Sequence, residues 1–377
     1  MSYYVILFSL CIIIYLFHRF TNNKTIKSIL EIITIVILAL FSGTRYRLGG
    51  SDYEIYEKAF NLAPTLLKFD FNGNYLFGFE TGYMLLNSLV KSLGFNFYGF
   101  TLIHSILFYF LLYKAMKRYD VDFSFFIIVF LYKSCIFNTF VSMRQSLVIV
   151  IFLYALSYLK DGNWKRYLLM IIPCYFFHSS SLILLPIVFL RNKSFTKKFI
   201  TIYGLVFLAF LLLNITHVFI FNPSNLIYSI FGGFGNLINK ADFYINSVSN
   251  VSVNLLSSIE TYAVWILVVL FYNRVYLKSN ESKTIINTFL LIIPIVTLFR
   301  NFEIMIRIRD YFSILFPIVL YYLYSIFEKK SRLIYVMILF SLSFLGYYRY
   351  IYTYDEGEYS LKNYESYVFK DISIFNN

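Results

Sequence analysis

The chain has 377 residues, of which 59% are hydrophobic, 22% aromatic and 14% charged. Soluble proteins are about 45–50% apolar and about 25% charged, so an ordinary soluble enzyme and a disordered chain are both excluded. The net charge of +13 is carried by basic residues placed between apolar runs, where they report membrane topology and not a nucleic-acid partner.

The apolar runs are long and unbroken, without the alternation over about ten residues that a transmembrane β-barrel needs. The reading is an all-α polytopic membrane protein forming a single transmembrane domain over 1–377. A first helix is expected at 3–18. Arg19, Lys24 and Lys27 follow it instead of preceding it, so it reads as a retained span with its amino terminus outside. Further spans are expected at 28–44, 96–113, 124–142, 145–159, 199–220, 259–277, 285–303, 311–327 and 333–348, which makes about ten in all. The stretch 79–93 carries Glu80, Asn87 and Lys91 and reads as an amphipathic interfacial or re-entrant helix. The stretch 167–190 holds Pro173, His178, Ser179, Ser180, Ser181 and Pro186. It reads as one broken helix, or as two short ones meeting at the His-Ser turn.

The positive-inside rule selects one topology. With the amino terminus outside, the loops carrying Lys114, Lys117 and Arg118, then Lys160, Lys165 and Arg166, fall inside if 79–93 does not cross. The loop with Arg191, Lys193, Lys197 and Lys198 falls inside if 167–190 enters and returns. The long loops 45–95 and 221–258 and the acid-rich tail 349–377 are then outside, and loops of such length usually carry function. Cys11, Cys135 and Cys174 lie singly in apolar runs, so neither a disulfide framework nor a zinc site is indicated. No phosphate-binding or dinucleotide-binding motif is present, and no metal or other cofactor is expected.

Ionisable residues in or beside membrane helices are costly and tend to mark function. Arg45, Arg47 and Asp52 flank the pair Gly49-Gly50 just past the second expected span. Two arginines and flexible glycines suit a phosphate, which a guanidinium grips in a fork. An interfacial Arg-Tyr anchor is the bland alternative. Glu80, Tyr83 and Asn87 share one helical face at i, i+3 and i+7. Arg144 sits between two apolar spans with almost no loop and must find a partner or water. Lys133, mid-span, either pairs with a carboxylate or marks a break in its helix. His178, at the turn with three serines, has the ordinary pKa for proton transfer near neutrality, whereas His104 reads as a packing histidine. Arg300, Glu303 and Arg307 fall on one face near Arg309 and Asp310, as a binding group or a structural ion-pair network.

Several of these stretches resemble the EpsG-like branch of bacterial Wzy-type polysaccharide polymerases. They are Thr44-Arg45 through Gly49-Gly50-Ser51-Asp52-Tyr53, Phe79-Glu80-Thr81-Gly82-Tyr83 with Leu86-Asn87, Met143-Arg144-Gln145-Ser146-Leu147, Phe177-His178-Ser179-Ser180, and Arg307-Ile308-Arg309-Asp310-Tyr311-Phe312. The resemblance is best over about 44–190. It implies a C-type-like membrane glycosyltransferase of the bacterial cytoplasmic membrane, with its active site on the outer face. Such enzymes join oligosaccharide repeat units carried on undecaprenyl pyrophosphate into O-antigen or capsular polysaccharide. Substrates are then the lipid-linked glycans within membrane lipid, and a chain-length regulator is a candidate partner. Arg45, Arg47, Arg144, Arg300, Arg307 and Arg309 would hold the departing pyrophosphate. His178 would act as general base, with Asp52 or Glu80 as rival. A flippase for lipid-linked sugars usually shows repeat symmetry, which this sequence lacks. An O-antigen ligase shares the layout and is separated poorly by sequence.

Overall fold

The computed structural model describes residues 2–71, 73, 75, 78–216, 218, 255–300, 303–353 and 360–375. Every regular element among them is helical, and strand pairing is confined to isolated bridges, Arg45 with Ser366 and Phe95 with Phe375. Most of the outer loop expected at 221–258 lies outside the described residues.

Seven segments among the described residues are long and apolar enough to cross a membrane. They are α1 (Ser2–Phe20), α2 (Lys24–Gly43), α5 (Phe97–Met116), α7 (Met143–Lys160), α9 (Lys197–Ile215), the pair α12 (Asn280–Leu290) and α13 (Ile292–Leu298), and α16 (Lys329–Thr353). The chain is therefore an all-α, multi-pass membrane protein. The other three expected spans are built from shorter or interrupted helices. These are α6 (Phe123–Phe130), α10 (Leu255–Leu270) with α11 (Tyr272–Val275), and α15 (Phe316–Ser325). Helix starts are set locally by polar caps between apolar runs. Asn23, Asn96, Asp122 and Thr196 accept backbone N–H bonds at the first turns of α2, α5, α6 and α9.

Packing divides the chain into two compact units, 1–188 with 327–377, and 189–326. In the first unit α7 is the central helix, with 72% of its apolar window buried against 22% for α16. After α6 the backbone continues as two π-helical turns, Leu131–Cys135 and Phe137–Val141. Lys133 lies in the first of them with Nζ 4.4 Å from the Tyr132 ring centroid, so the mid-span lysine marks a change of helical winding. Gly346 of α16 packs against this region, and a Cβ there would come within 2.1 Å of the Tyr132 ring. In the second unit Gly204 of α9 admits Trp265 of α10 in the same way, and Trp265 Nε1 donates to the Ile200 carbonyl at 3.0 Å.

The 167–190 stretch is broken as its prolines require. Helix α8 (Trp164–Ile171) passes into a 3-10 turn at Ile172–Phe176 with Pro173 near its start. The chain turns at 177–178 and resumes as a 3-10 segment, Ser179–Leu190, containing Pro186. Proline lacks the N–H that an α-helix needs at those positions. Helix α4 (Thr81–Ser92) is the expected amphipathic helix, and its polar face is the buried one. Tyr83 and Asn87 are fully buried while Leu89 is exposed.

Candidate active site

The loop 44–50 is held by its own arginine. Arg45 is 0% exposed. Its Nη1 donates to the Ser42 carbonyl at 2.6 Å, Nε to the Leu48 carbonyl at 3.0 Å, and Nη2 lies 3.4 Å from Met143 Sδ. The guanidinium also stands over the Phe140 and Tyr53 rings. Burial pushes its pKa below the usual arginine value. Gly49 (φ +140°) lets the loop touch the π-helical segment, since a Cβ there would come within 2.3 Å of the Phe140 carbonyl oxygen. Gly50, at φ +70°, precedes the first turn of α3 (Ser51–Leu62), where Asp52 is half-buried. Arg47 is exposed.

The tail closes over this loop. Tyr46 N–H donates to the Glu365 carbonyl and Tyr367 N–H to the Thr44 carbonyl, each at 2.9 Å. Tyr364 stacks on Phe41 at 4.2 Å, and its hydroxyl donates to the Phe41 carbonyl at 2.8 Å. Asn96 N–H donates to the Ile374 carbonyl at 3.0 Å. Loop 44–50, the start of α5 and the tail thus lie at one end of the first unit. His18, Glu31, Lys117 and Asp122 meet at another grouping, with His18 3.3 Å from Asp122 and 3.5 Å from Glu31.

Three separate sequence motifs meet at Glu80. Arg144 Nη1 donates to Oε2 at 2.6 Å, while the Ser179 N–H and hydroxyl donate to Oε1 at 3.1 and 3.0 Å. The pair is shielded, with side-chain exposures of 15% for Arg144 and 11% for Glu80. Arg144 lies 4.0 Å from the Phe79 ring centroid, and Tyr56 is a further hydrogen-bonding partner. Arg144 Nε and the Tyr83 hydroxyl are buried without a hydrogen-bond partner, as is Asn87 Oδ1. Unsatisfied polar atoms are costly in a fold, and here three belong to one neighbourhood of α4 and α7. His104 supports the same place from below, with Nε2 2.8 Å from the Met143 carbonyl that precedes Arg144.

His178 is half-buried at its turn. Its Nδ1 accepts the Ser180 backbone N–H at 3.4 Å and faces the Ser180 hydroxyl at 3.0 Å. A backbone N–H can only donate, so Nδ1 keeps its lone pair and Nε2 carries the proton of the neutral ring. His178 therefore presents a donor.

Arg300, Arg307 and Arg309 belong to the second unit. Arg309 Nη2 bonds Asp310 Oδ1 at 3.2 Å and Nη1 reaches Ser257 Oγ at 3.5 Å. Burial pushes the Asp310 carboxyl up, against the pull of Arg309 and Arg307. Arg300 and Arg307 are half-buried, and the side chain of Glu303 lies outside the described residues. No group of three His, Cys, Asp or Glu side chains among the described residues could hold a metal ion. Sequence reasoning missed Ser179 as the second partner of Glu80, Tyr56 as a partner of Arg144, and the tail as a cover. None carries a local signal, because each acts across a long separation in the chain.

A multi-pass helical membrane protein with arginine, carboxylate and histidine gathered beside a broken helix is the class that fold and site define. The model of the EpsG family matches residues 28–366, and the chain belongs to that family. Membership supports function as a Wzy-type polymerase of oligosaccharide repeats linked to undecaprenyl pyrophosphate, a membrane glycosyltransferase of polysaccharide biosynthesis. Comparison with curated proteins gave no match, and comparison with solved structures gave none.

Proposed function

We propose that the cluster around Glu80, Arg144 and His178 is the polymerase active site, that it faces the outside of the cytoplasmic membrane, and that the chain works as a C-type-like, metal-independent enzyme with about ten passes. The observation that carries this reading is Glu80 bridging Arg144 and Ser179, which joins three motifs spread over 100 residues. The outward orientation is supported by the lysines and arginines at the opposite loops.

In the reaction an acceptor hydroxyl attacks the anomeric carbon of the glycan. The bond from that carbon to the pyrophosphate oxygen breaks, and negative charge grows on the leaving group. Arg144 and the His178 Nε2–H are assigned to that charge. Arg45 acts through the loop it holds. Glu80 already accepts from three donors. A basic Nε2 on His178 would need a proton on Nδ1, which would then face the Ser180 N–H. The acceptor proton is therefore assigned to Asp52, half-buried beside Gly49-Gly50.

The test is deletion and complementation with surface glycans resolved on a gel and lipid-linked intermediates extracted from the same cells. Loss of the ladder with single repeat units still added supports the polymerase. Lipid-linked oligosaccharide trapped inside would mean a flippase, and long polymer accumulating on the carrier lipid would mean a ligase. Among variants, Asp52→Asn should abolish the ladder. His178→Asn, which retains a donor, should keep more activity than His178→Ala. Equal loss in both histidine variants would remove the donor role.

A further inference from the structure

A second cluster in the first unit takes no part in the chemistry above. The rings of Tyr46 and Tyr98 lie 5.9 Å apart at an interplanar angle of 16°, and both are half-buried. Arg47 between them in sequence has a left-handed backbone, φ +49°. That region is uncommon for a long side chain and marks a residue held in place. Its guanidinium stands 5.7 Å from the Tyr46 ring centroid and hydrogen-bonds the Tyr98 hydroxyl. Glu57 of α3 is half-buried near it; burial pushes the carboxyl up and Arg47 opposes that. The tail adds Tyr367, 5.1 Å from the Tyr98 ring, and Lys370, 4.7 Å from the Tyr46 ring centroid and 2.8 Å from Glu365.

We propose that Tyr46, Arg47, Glu57, Tyr98 and Lys370 form a binding subsite for the oligosaccharide part of the glycan, distinct from the groups that hold pyrophosphate. The apolar face of a pyranose ring matches the part of a half-buried tyrosine ring that remains open to solvent. Paired sugar hydroxyls match the planar forks of a guanidinium and a carboxylate. The charge balance separates this ligand from a lipid phosphate. Two cations, Arg47 and Lys370, are offset by two carboxylates, Glu57 and Glu365, so the cluster has no net attraction for an anion. Tyrosines that merely anchor a membrane interface need neither a held arginine nor a half-buried carboxylate beside them.

This inference rests on the polymerase reading, and the two fail separately: that reading fails in the deletion strain, and the subsite fails in a binding assay. The assay uses the full chain in nanodiscs. The probes are the single repeat-unit oligosaccharide released from its lipid by mild acid and the long polymer from the same cells. Tyr46→Ala and Tyr98→Ala should each weaken binding about tenfold, and Tyr46→Phe should stay within about twofold, since stacking survives loss of the hydroxyl. With lipid-linked repeat units the alanine variants should raise KM and leave kcat within about twofold. Tighter binding of polymer than of the single unit assigns the subsite to the growing chain, and the reverse order assigns it to the acceptor. Alanine variants that bind like the unaltered protein, or a phenylalanine variant as weak as alanine, would overturn the proposal. If the loop variants fail to fold, Glu57→Gln decides, with about fivefold weaker binding expected and unchanged binding overturning it.

Discussion

At the scale of single residues, Arg45 and Arg144 show how one residue type takes opposite tasks. Arg45 spends its donors on backbone carbonyls inside the protein and is sealed from solvent. Arg144 bonds a carboxylate and keeps a buried Nε without a partner. Removing one member of a shielded ion pair leaves a buried charge, at a cost of about 3–5 kcal/mol, whereas replacing both by apolar groups is often neutral. Glu80→Gln should therefore lower the thermal stability of the detergent-solubilised protein and abolish the glycan ladder. The double variant Glu80→Met with Arg144→Met should regain stability without regaining the ladder. A double variant that polymerises would show the pair to be structural. Arg45→Lys should destabilise through loss of the fork that spans two carbonyls, seen as a lower melting temperature.

At the scale of elements, the tail and the first unit's helix ends are the parts that hold the site. Residues 360–375 are tied to loop 44–50 and to the start of α5 by backbone bonds and by stacked rings. Deletion of 360–377 should expose loop 44–50 to protease and reduce polymer, with the remaining helices still inserted in the membrane; a full-length ladder from the truncated chain would argue against the strap. At the other group of helix ends, His18 of α1 bridges Glu31 of α2 and Asp122 at the start of α6, and Lys117 Nζ lies 2.5 Å from Glu31. Burial disfavours the charged form of Asp122, and the hydrogen bond from His18 outweighs it, so its carboxyl sits below the usual 3.8. A carboxyl lowered on folding stabilises fully above its unfolded value, and that stabilisation is lost as pH falls through the folded value. The melting temperature should fall on acidification below about pH 4, and Asp122→Asn should lack that part of the fall.

At the scale of the whole molecule, the basic loops and the ends of the helices give a topology open to direct measurement. Cys11, Cys135 and Cys174 are all buried, so engineered cysteines can be labelled against a quiet background. Leu67→Cys, at a fully exposed position, and Lys370→Cys should react with a membrane-impermeant maleimide added to intact cells. Lys165→Cys should react only after the membrane is opened. Labelling of Lys165→Cys in intact cells would reverse the assignment of the active site to the outer face. If Leu67→Cys and Lys370→Cys reacted on opposite sides, α4 would have to cross the membrane.

Composition and the lengths of the apolar runs determined the class of protein and the regions of most helices. Those properties depend on transfer from water to hydrocarbon, which each segment undergoes largely by itself. The break at His178 was also readable, because Pro173 and Pro186 act locally on the backbone. The partners of the polar residues were not readable. The family resemblance assigned Arg45 and Arg144 alike to the pyrophosphate. Which arginine is sealed, which carboxylate bridges two motifs and which tail segment covers the loop are decided by contacts between residues 64, 99 or 320 positions apart. Only the packing of helices around α7 sets those contacts, and a pattern confined to one segment carries no trace of them.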